Sequence, residues 1–397
     1  MDRLANTVRP YAWGSTTAIP QLLGVEPTGE PQAELWMGAH PGAPSRVDRG
    51  AGPLALSEAI AADPEGHLGK AVLDRFGPRL PFLFKVLAAD APLSLQVHPD
   101  LAQARAGHAD EEERGVPIDA PHRNYKDANH KPELICALTT FEGLCGFRPE
   151  REAAGLLASL DVDSLKPYVD ILHAQPEADA LREVLTALLS ADPVAMAETA
   201  AQAAAAAERL ADVDGPLQNA YAAYASLARH YPGDPGVIAA MLLNHVTLQP
   251  GEALFLSAGV PHAYLRGLGV EIMANSDNVL RCGLTPKHVD VPELLRIVRF
   301  EATEPGVLRP GSVEGEERYE TPIEEFRLSR YVLTEEGDRR RIPSRTPQIL
   351  LCSEGSAVLR SATDELRLGQ GESAFVPAGE EAVLTGKGTV FRATVAV

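Results

Sequence analysis

The segment "SLQVHPD" (94–100) sets a hydroxyl, an amide and an imidazole at alternate positions among apolar residues. In a strand, alternate side chains share a face. Leu95 and Val97 then point one way, and Ser94, Gln96 and His98 the other. Two donors at i and i+2 can grip one ion like two prongs. A mononuclear zinc site takes about four ligands at ~2.0–2.2 Å for nitrogen and oxygen, so two more donors are needed. "NHKPELICAL" (129–138) offers Glu133 at the start of an otherwise apolar strand, where a carboxylate demands a partner. "SAGVPHAYLRG" (257–267) offers His262 at a strand start after a Gly-Pro turn. Gln96, His98, Glu133 and His262 make a donor set of two nitrogens and two oxygens with one negative charge. Zinc suits it best, and manganese, iron or cobalt could fit. A lone strand histidine is ordinarily a satisfied core or surface residue. Three such anomalies in one chain argue for an ion.

Cations gather around these donors. Lys85 interrupts the apolar strand "LPFLFKVLAA" (80–89), sharing a face with Leu83 and Leu87 and opposing Phe82, Phe84 and Val86. Its bland alternative is an exposed position on an edge strand. Lys131 has the parity of Glu133, and Ser94 that of Gln96 and His98. With Arg281 they suggest an anionic substrate group such as phosphate. The competing reading pairs each cation with a structural carboxylate, for example Arg281 with Asp277. "GVEIMANSDNVLRCGLTPKH" (269–288) is the densest polar stretch among strands. There Asn275 and Asn278 could simply shape turns, whereas Glu271 between Val270 and Ile272 is unusual.

The elements that must position these residues form a mainly β chain with a helical insertion, an α+β organisation. The 397 residues imply two or three domains. Residues 1–149 with 236–315 read as one β unit, 150–235 as a helical insertion and 316–397 as a second β unit. In the insertion, "ALREVLTALLSA", "VAMAETAAQAAAAAERLADV" and "PLQNAYAAYASLARHY" predict three helices. Residues 102–130 read as a long polar loop whose acidic run, Asp110 to Glu113, is solvated. "PGEALFLSAGVPHA" (250–263) echoes "QGESAFVPAGEEA" (370–382) at an offset of 120, which suggests two related units. Under that alignment His262 falls on Ala382.

The net charge of −19 argues against nucleic acid, whose phosphates need a basic footprint. The N-terminal residues lack a signal-peptide core, and no run approaches the ~18 apolar residues of a membrane span. Four scattered cysteines without a CxxC pair read as buried thiols in a reducing cytoplasm. No GxGxxG, Walker A or GxSxG motif occurs in a suitable context.

Seven segments in order, "YAWGS" (11–15), "ELWMGAHP" (34–41), "PFLFKVL" (81–87), "QVHPD" (96–100), "NHKPE" (129–133), "GVPHAY" (259–264) and "SDNVLRCGLTPK" (276–287), resemble the type I phosphomannose isomerases. The resemblance implies two cupin-like (jelly-roll) β barrels plus an all-α domain, the second barrel degenerate. It implies one Zn2+ per chain on Gln96, His98, Glu133 and His262. It places Arg281, Asp277, Glu271, Lys131, His130 and Tyr264 in catalysis, and Lys85, Ser94 and Trp13 on the substrate and phosphate side. The implied reaction is an aldose–ketose isomerisation of mannose 6-phosphate and fructose 6-phosphate through a cis-enediol. Asp277 or Glu271 precedes His130 as candidate base. The implied protein is cytoplasmic, a monomer or weak homo-oligomer, with a sugar-phosphate substrate and no nucleic-acid or membrane partner. The alternatives are a non-catalytic cupin holding a metal and a sugar phosphate, or an isomerase of another sugar phosphate. This chain reads "NSDNV" where many relatives read "SSDNV", and its last 80 residues match least.

Overall fold

The computed structural model describes residues 1–50, 52–334 and 339–397. Among them, eleven strands build one antiparallel sheet system and nine build another, with helices concentrated between 150 and 241. In the first system the central strand is His262–Ala274. Its C-terminal half pairs with Phe82–Ala89 and Glu133–Ala137; its N-terminal half pairs with Phe141–Phe147 and, at His262, with Leu95–Val97. The partner change falls at Gly267, whose φ of 132° suits glycine and where a Cβ would strike the backbone of Phe141.

Alternation decides the layers. Phe82, Phe84, Val86, Leu134, Val270 and Ile272 point to a core shared with Phe326, Leu328, Phe375 and Phe391 of the second system. The opposite face carries Lys85, Glu133 and Glu271 among apolar neighbours. Lys85 is therefore on a central strand, between Glu34–Met37 and His262–Ala274, and it is buried. The edge-strand alternative does not hold.

The echo at an offset of 120 recurs in three dimensions. Strands Ala253–Leu256 and His262–Ala274 correspond to Ser373–Val376 and Ala382–Thr394. The turn glycines correspond too: Gly251 and Gly371, and Gly259 and Gly379, all have φ between 77° and 89°.

Three expectations need correction. Residues 101–113 are a helix, not the start of a loop. Asp100 Oδ1 accepts the Gln103 N–H (2.8 Å) and Gln103 Oε1 accepts the Asp100 N–H (2.9 Å), a reciprocal cap that outweighs the missing apolar stripe. Within the acidic run, Glu111 is buried, pairs with Arg123 and accepts the N–H groups of Asn124 and Tyr125. Second, Asp2–Leu4 pairs with Ser373–Val376 and Gly311–Val313 pairs with Glu316–Tyr319, so both belong to the second sheet system, not the first. Third, helices Glu150–Ser159 and Lys166–Ala174 precede the three expected ones, Glu177–Ser190, Pro193–Ala211 and Gln218–His230. Their apolar faces share one cluster with Leu95, Val97, Leu280 and Cys282, so the insertion leans on the strands that carry Gln96 and Arg281. Among the described residues no single helix is long and apolar enough to cross a membrane.

Candidate metal centre

Leu95–Val97 lies between two strands, with Gln96 opposite His262 on one side and Arg281 on the other. Directly opposed residues share a face, so the three form one row. His98 follows Gln96 by two residues, just past the strand end. Glu133 comes from the other half of the sheet, opposite Met273.

The result is compact. His98 Nε2 lies 3.4 Å from Glu133 Oε1, and His262 Nε2 lies 3.4 Å from Glu133 Oε2. The other ring nitrogen of each histidine is committed: Nδ1 of His98 donates to the Asn278 carbonyl (2.8 Å), and Nδ1 of His262 to the Val260 carbonyl (2.9 Å). Those bonds leave both Nε2 lone pairs aimed at the carboxylate. His98 Nε2, His262 Nε2 and Glu133 Oε2 are buried without a hydrogen-bond partner among the described residues. Three acceptors facing one another in a dry interior are costly unless a cation sits among them. Burial pushes the His98 imidazole down to about 4, against the pull of Glu133, so it is a neutral ligand at neutral pH. Burial works to raise the Glu133 pKa, yet Lys131 and the two imidazoles hold it well below the usual carboxylate range. The three donors fit a divalent cation of the zinc type, and Gln96 stands opposite His262 in the neighbouring strand.

The surrounding charges are arranged differently from one another. Lys131 Nζ is 3.2 Å from Glu133 Oε1. Lys85 Nζ sits between Glu34 (3.2 Å) and Glu271 (2.6 Å), and Trp36 Nε1 donates to the second oxygen of Glu34 (2.8 Å). Burial opposes the Lys85 charge, but the two carboxylates lift its pKa above the ordinary lysine value. In this structure Lys85 is paired with carboxylates, the arrangement the competing reading describes. Burial raises the Glu271 pKa against the pull of Lys85, and Tyr264 OH donates to Glu271 Oε1 (2.9 Å). Arg281 is half-buried and, unlike Lys85, has no carboxylate partner among the described residues; the pair with Asp277 of the competing reading does not form. Asp277 instead lies 3.4 Å from His40, which holds its carboxyl below the usual range. His40 and Asp277 line a cleft of about 410 Å³. A larger cleft of about 600 Å³, near Arg266 and Arg330, contains none of the expected site residues.

Three expected residues are less engaged. Ser94 is half-buried just before its strand. Trp13 stacks on Tyr11 and packs against the cluster holding Tyr264 and Cys145. His130 is turned to the second sheet system, its Nε2 2.6 Å from Glu325. Sequence reasoning missed Glu34, Trp36, His40 and Glu325. Asn278 proves to be a turn-former and more, since its carbonyl fixes the His98 tautomer while its amide joins Lys126, Asp127 and Asn129.

The family model for the phosphomannose isomerase type I catalytic domain matches residues 1–150. Mannose-6-phosphate isomerase of Escherichia coli K12 is 43% identical over 387 residues, 96% of this chain and 96% of that protein. The chain belongs to the mannose-6-phosphate isomerase family. The human mannose-6-phosphate isomerase is 38% identical over 323 residues, 75% of this chain and 72% of its own length. A mannose 6-phosphate isomerase from Salmonella typhimurium, solved bound to its substrate fructose 6-phosphate and to zinc, superposes with a TM-score of 0.90 at 40% identity over the whole of both chains. Family membership covers the second sheet system as well as the first, which the weak match of the last 80 residues left open.

Proposed function

We propose that this protein is a zinc-dependent isomerase that interconverts mannose 6-phosphate and fructose 6-phosphate. The observation that carries it is the set of partnerless buried donors on His98, Glu133 and His262, near a half-buried arginine without a counter-ion among the described residues. A full-length relative that binds fructose 6-phosphate and zinc supports it. Both sheet systems are read as cupin-like barrels, since their long strands change partners midway. The helical segment is an all-α layer against the first.

Gln96, His98, Glu133 and His262 would hold the metal. A bound zinc supplies a Lewis acid for the sugar oxygens. The protein's own groups do the rest. Moving a proton between C2 and C1 requires an ionised base with an open face. Both oxygens of Glu271 are taken, by Tyr264 and Lys85. Asp277 is 56% exposed; its lowered pKa keeps it ionised but makes it a weaker base, so access, not basicity, puts it ahead. Arg281, and Lys131 beside it in role, offset the negative charge that develops on the enediol oxygens. Glu271, Lys85 and Tyr264 hold one another and shape the floor. The reading includes a cytoplasmic monomer or weak homo-oligomer acting on a small sugar phosphate.

The test is a coupled assay of mannose 6-phosphate conversion before and after chelation. Loss of turnover with return on added zinc is expected. Absence of turnover in folded, zinc-loaded protein would sink the reading. For the base, Asp277→Asn should abolish solvent-deuterium entry into the sugar carbon while zinc is retained; persistent exchange returns the role to Glu271.

A further inference from the structure

The strand Glu133–Ala137 has two faces. Glu133 points to the metal centre, and Leu134 and Cys136 point outward to the second sheet system. That outward face is held at both ends by one segment of the second system. At the near end, His130 Nε2 meets Glu325 Oε1 at 2.6 Å, with side chains 19% and 15% exposed. At the far end, the buried Tyr319 hydroxyl accepts from Cys136 Sγ (3.2 Å) and donates to the Gly251 carbonyl (2.8 Å). Gly251 N–H in turn donates to the Ala137 carbonyl (2.8 Å). Between these ends lie Leu134, Cys136, Tyr319 and Phe326 in a single apolar cluster.

Among the described residues, the side-chain contact of His130 is with Glu325 and not with the metal centre. It is three residues from Glu133, and the link runs through Lys131 and Pro132. The ring of Pro132 fixes its own φ, so displacement of His130 passes to Lys131 and Glu133. Exposed ion pairs contribute little, but this one is mostly shielded and charge-assisted.

We propose that Glu325 is a positioning residue for the metal centre: by anchoring His130 from behind, it sets where Lys131 and Glu133 present their charged groups. The second β unit thereby serves the site without contributing a ligand. The kinetic part of this rests on the isomerase reading; the zinc-binding part does not.

The test uses the full-length, zinc-loaded protein with Glu325→Ala, Glu325→Gln and Tyr319→Phe. Three quantities are measured: kcat and KM with mannose 6-phosphate, zinc affinity by competition with a chromophoric chelator, and Tm of the metal-free form. Glu325→Ala should lower kcat about tenfold, leave KM within roughly twofold, and weaken zinc about tenfold, at the low end of what supporting shells contribute. Glu325→Gln keeps an acceptor for the His130 N–H and should recover most of both. Tyr319→Phe should lower Tm and leave kcat and zinc affinity alone. A Glu325→Ala protein that loses only Tm, or a Glu325→Gln protein as impaired as the alanine variant, overturns the proposal. If Glu325→Ala does not fold, Glu325→Gln decides by itself: near-wild-type zinc affinity and kcat are expected, and loss of both overturns. A wild-type protein that binds zinc but turns nothing over removes the isomerase reading, while the chelator competition still judges Glu325.

Discussion

In the first β unit the turn at Gly259 delivers His262 into a long strand; in the second, the turn at Gly379 delivers Ala382 into its counterpart. Ala382 packs among Leu384, Val390 and Leu350. Deeper in the same unit, buried Arg392 donates to Gln348 (2.5 Å) and Glu316 (2.8 Å), and Ser329 donates to that same Glu316 oxygen (2.5 Å). Each charge there has its partner. In the first unit the equivalent interior holds both kinds of arrangement. Lys85, Glu34 and Glu271 are paired with one another, while His98, His262 and Glu133 are left acceptor against acceptor. The scaffold is common to both units. Chemistry belongs to the one whose polar atoms are left with work undone.

That comparison can be broken by making the units alike. His262→Ala gives the first unit the residue of the second. Zinc stoichiometry should fall from one towards zero, and turnover by about a thousandfold, since Lewis-acid stabilisation is worth several kcal/mol; metal analysis and the coupled assay read this. Arg392→Ala attacks the second unit's network. Removing one partner of a buried pair costs about 3 kcal/mol or more, so the denaturant midpoint should drop while turnover per folded molecule stays the same. Arg281→Ala should reduce kcat about a hundredfold, as loss of a charge-stabilising group does, with zinc content unchanged; equal loss of zinc would make Arg281 structural. Ala382→His, the reverse graft, should bind no zinc beyond the one in the first unit and destabilise by about 1–3 kcal/mol, because it buries an imidazole without partners.

The smallest contrast concerns thiols, where the units should behave alike. Burial pushes Cys136 in the first and Cys352 in the second up to about 11. Their folded pKa values exceed the unfolded value of about 8.5. Their contribution to stability is therefore complete below about pH 8.5 and is lost as pH rises towards 11. Neither should react with a disulfide reagent at pH 8 before unfolding, and a native-state modification of either would contradict the shared burial.

What the sequence disclosed follows from local rules. Gln96, His98, Glu133 and His262 stood out because strand parity makes a polar residue on an apolar run conspicuous. The two-unit echo was visible because turn glycines keep their spacing. Partnerships across long separations left no such trace. Nothing near Lys85 announces that Glu34 pairs with it, or near His130 that Glu325 bonds to it. Hence Lys85 read as a phosphate-side cation with no sign of its carboxylate partners, and the competing pair of Arg281 with Asp277 could be set aside only once the strands were paired. The 101–113 helix was missed because its apolar stripe is faint and its start is written in one Asp-x-x-Gln cap. The contribution of Asp2–Leu4 to the second sheet has no local signal at all.

That last feature bears on how the molecule comes to exist. Asp2–Leu4 is the outer strand beside Ser373–Val376, and about 370 residues separate the two in sequence. On a ribosome, the early strand has no partner until nearly everything else has been made. The second sheet system then cannot be completed as an autonomous late module, and its completion ties residues 2–4 to residues 373–376. A nick or a stalled chain would leave an open sheet edge at the early end, the kind of surface that invites pairing with a stranger.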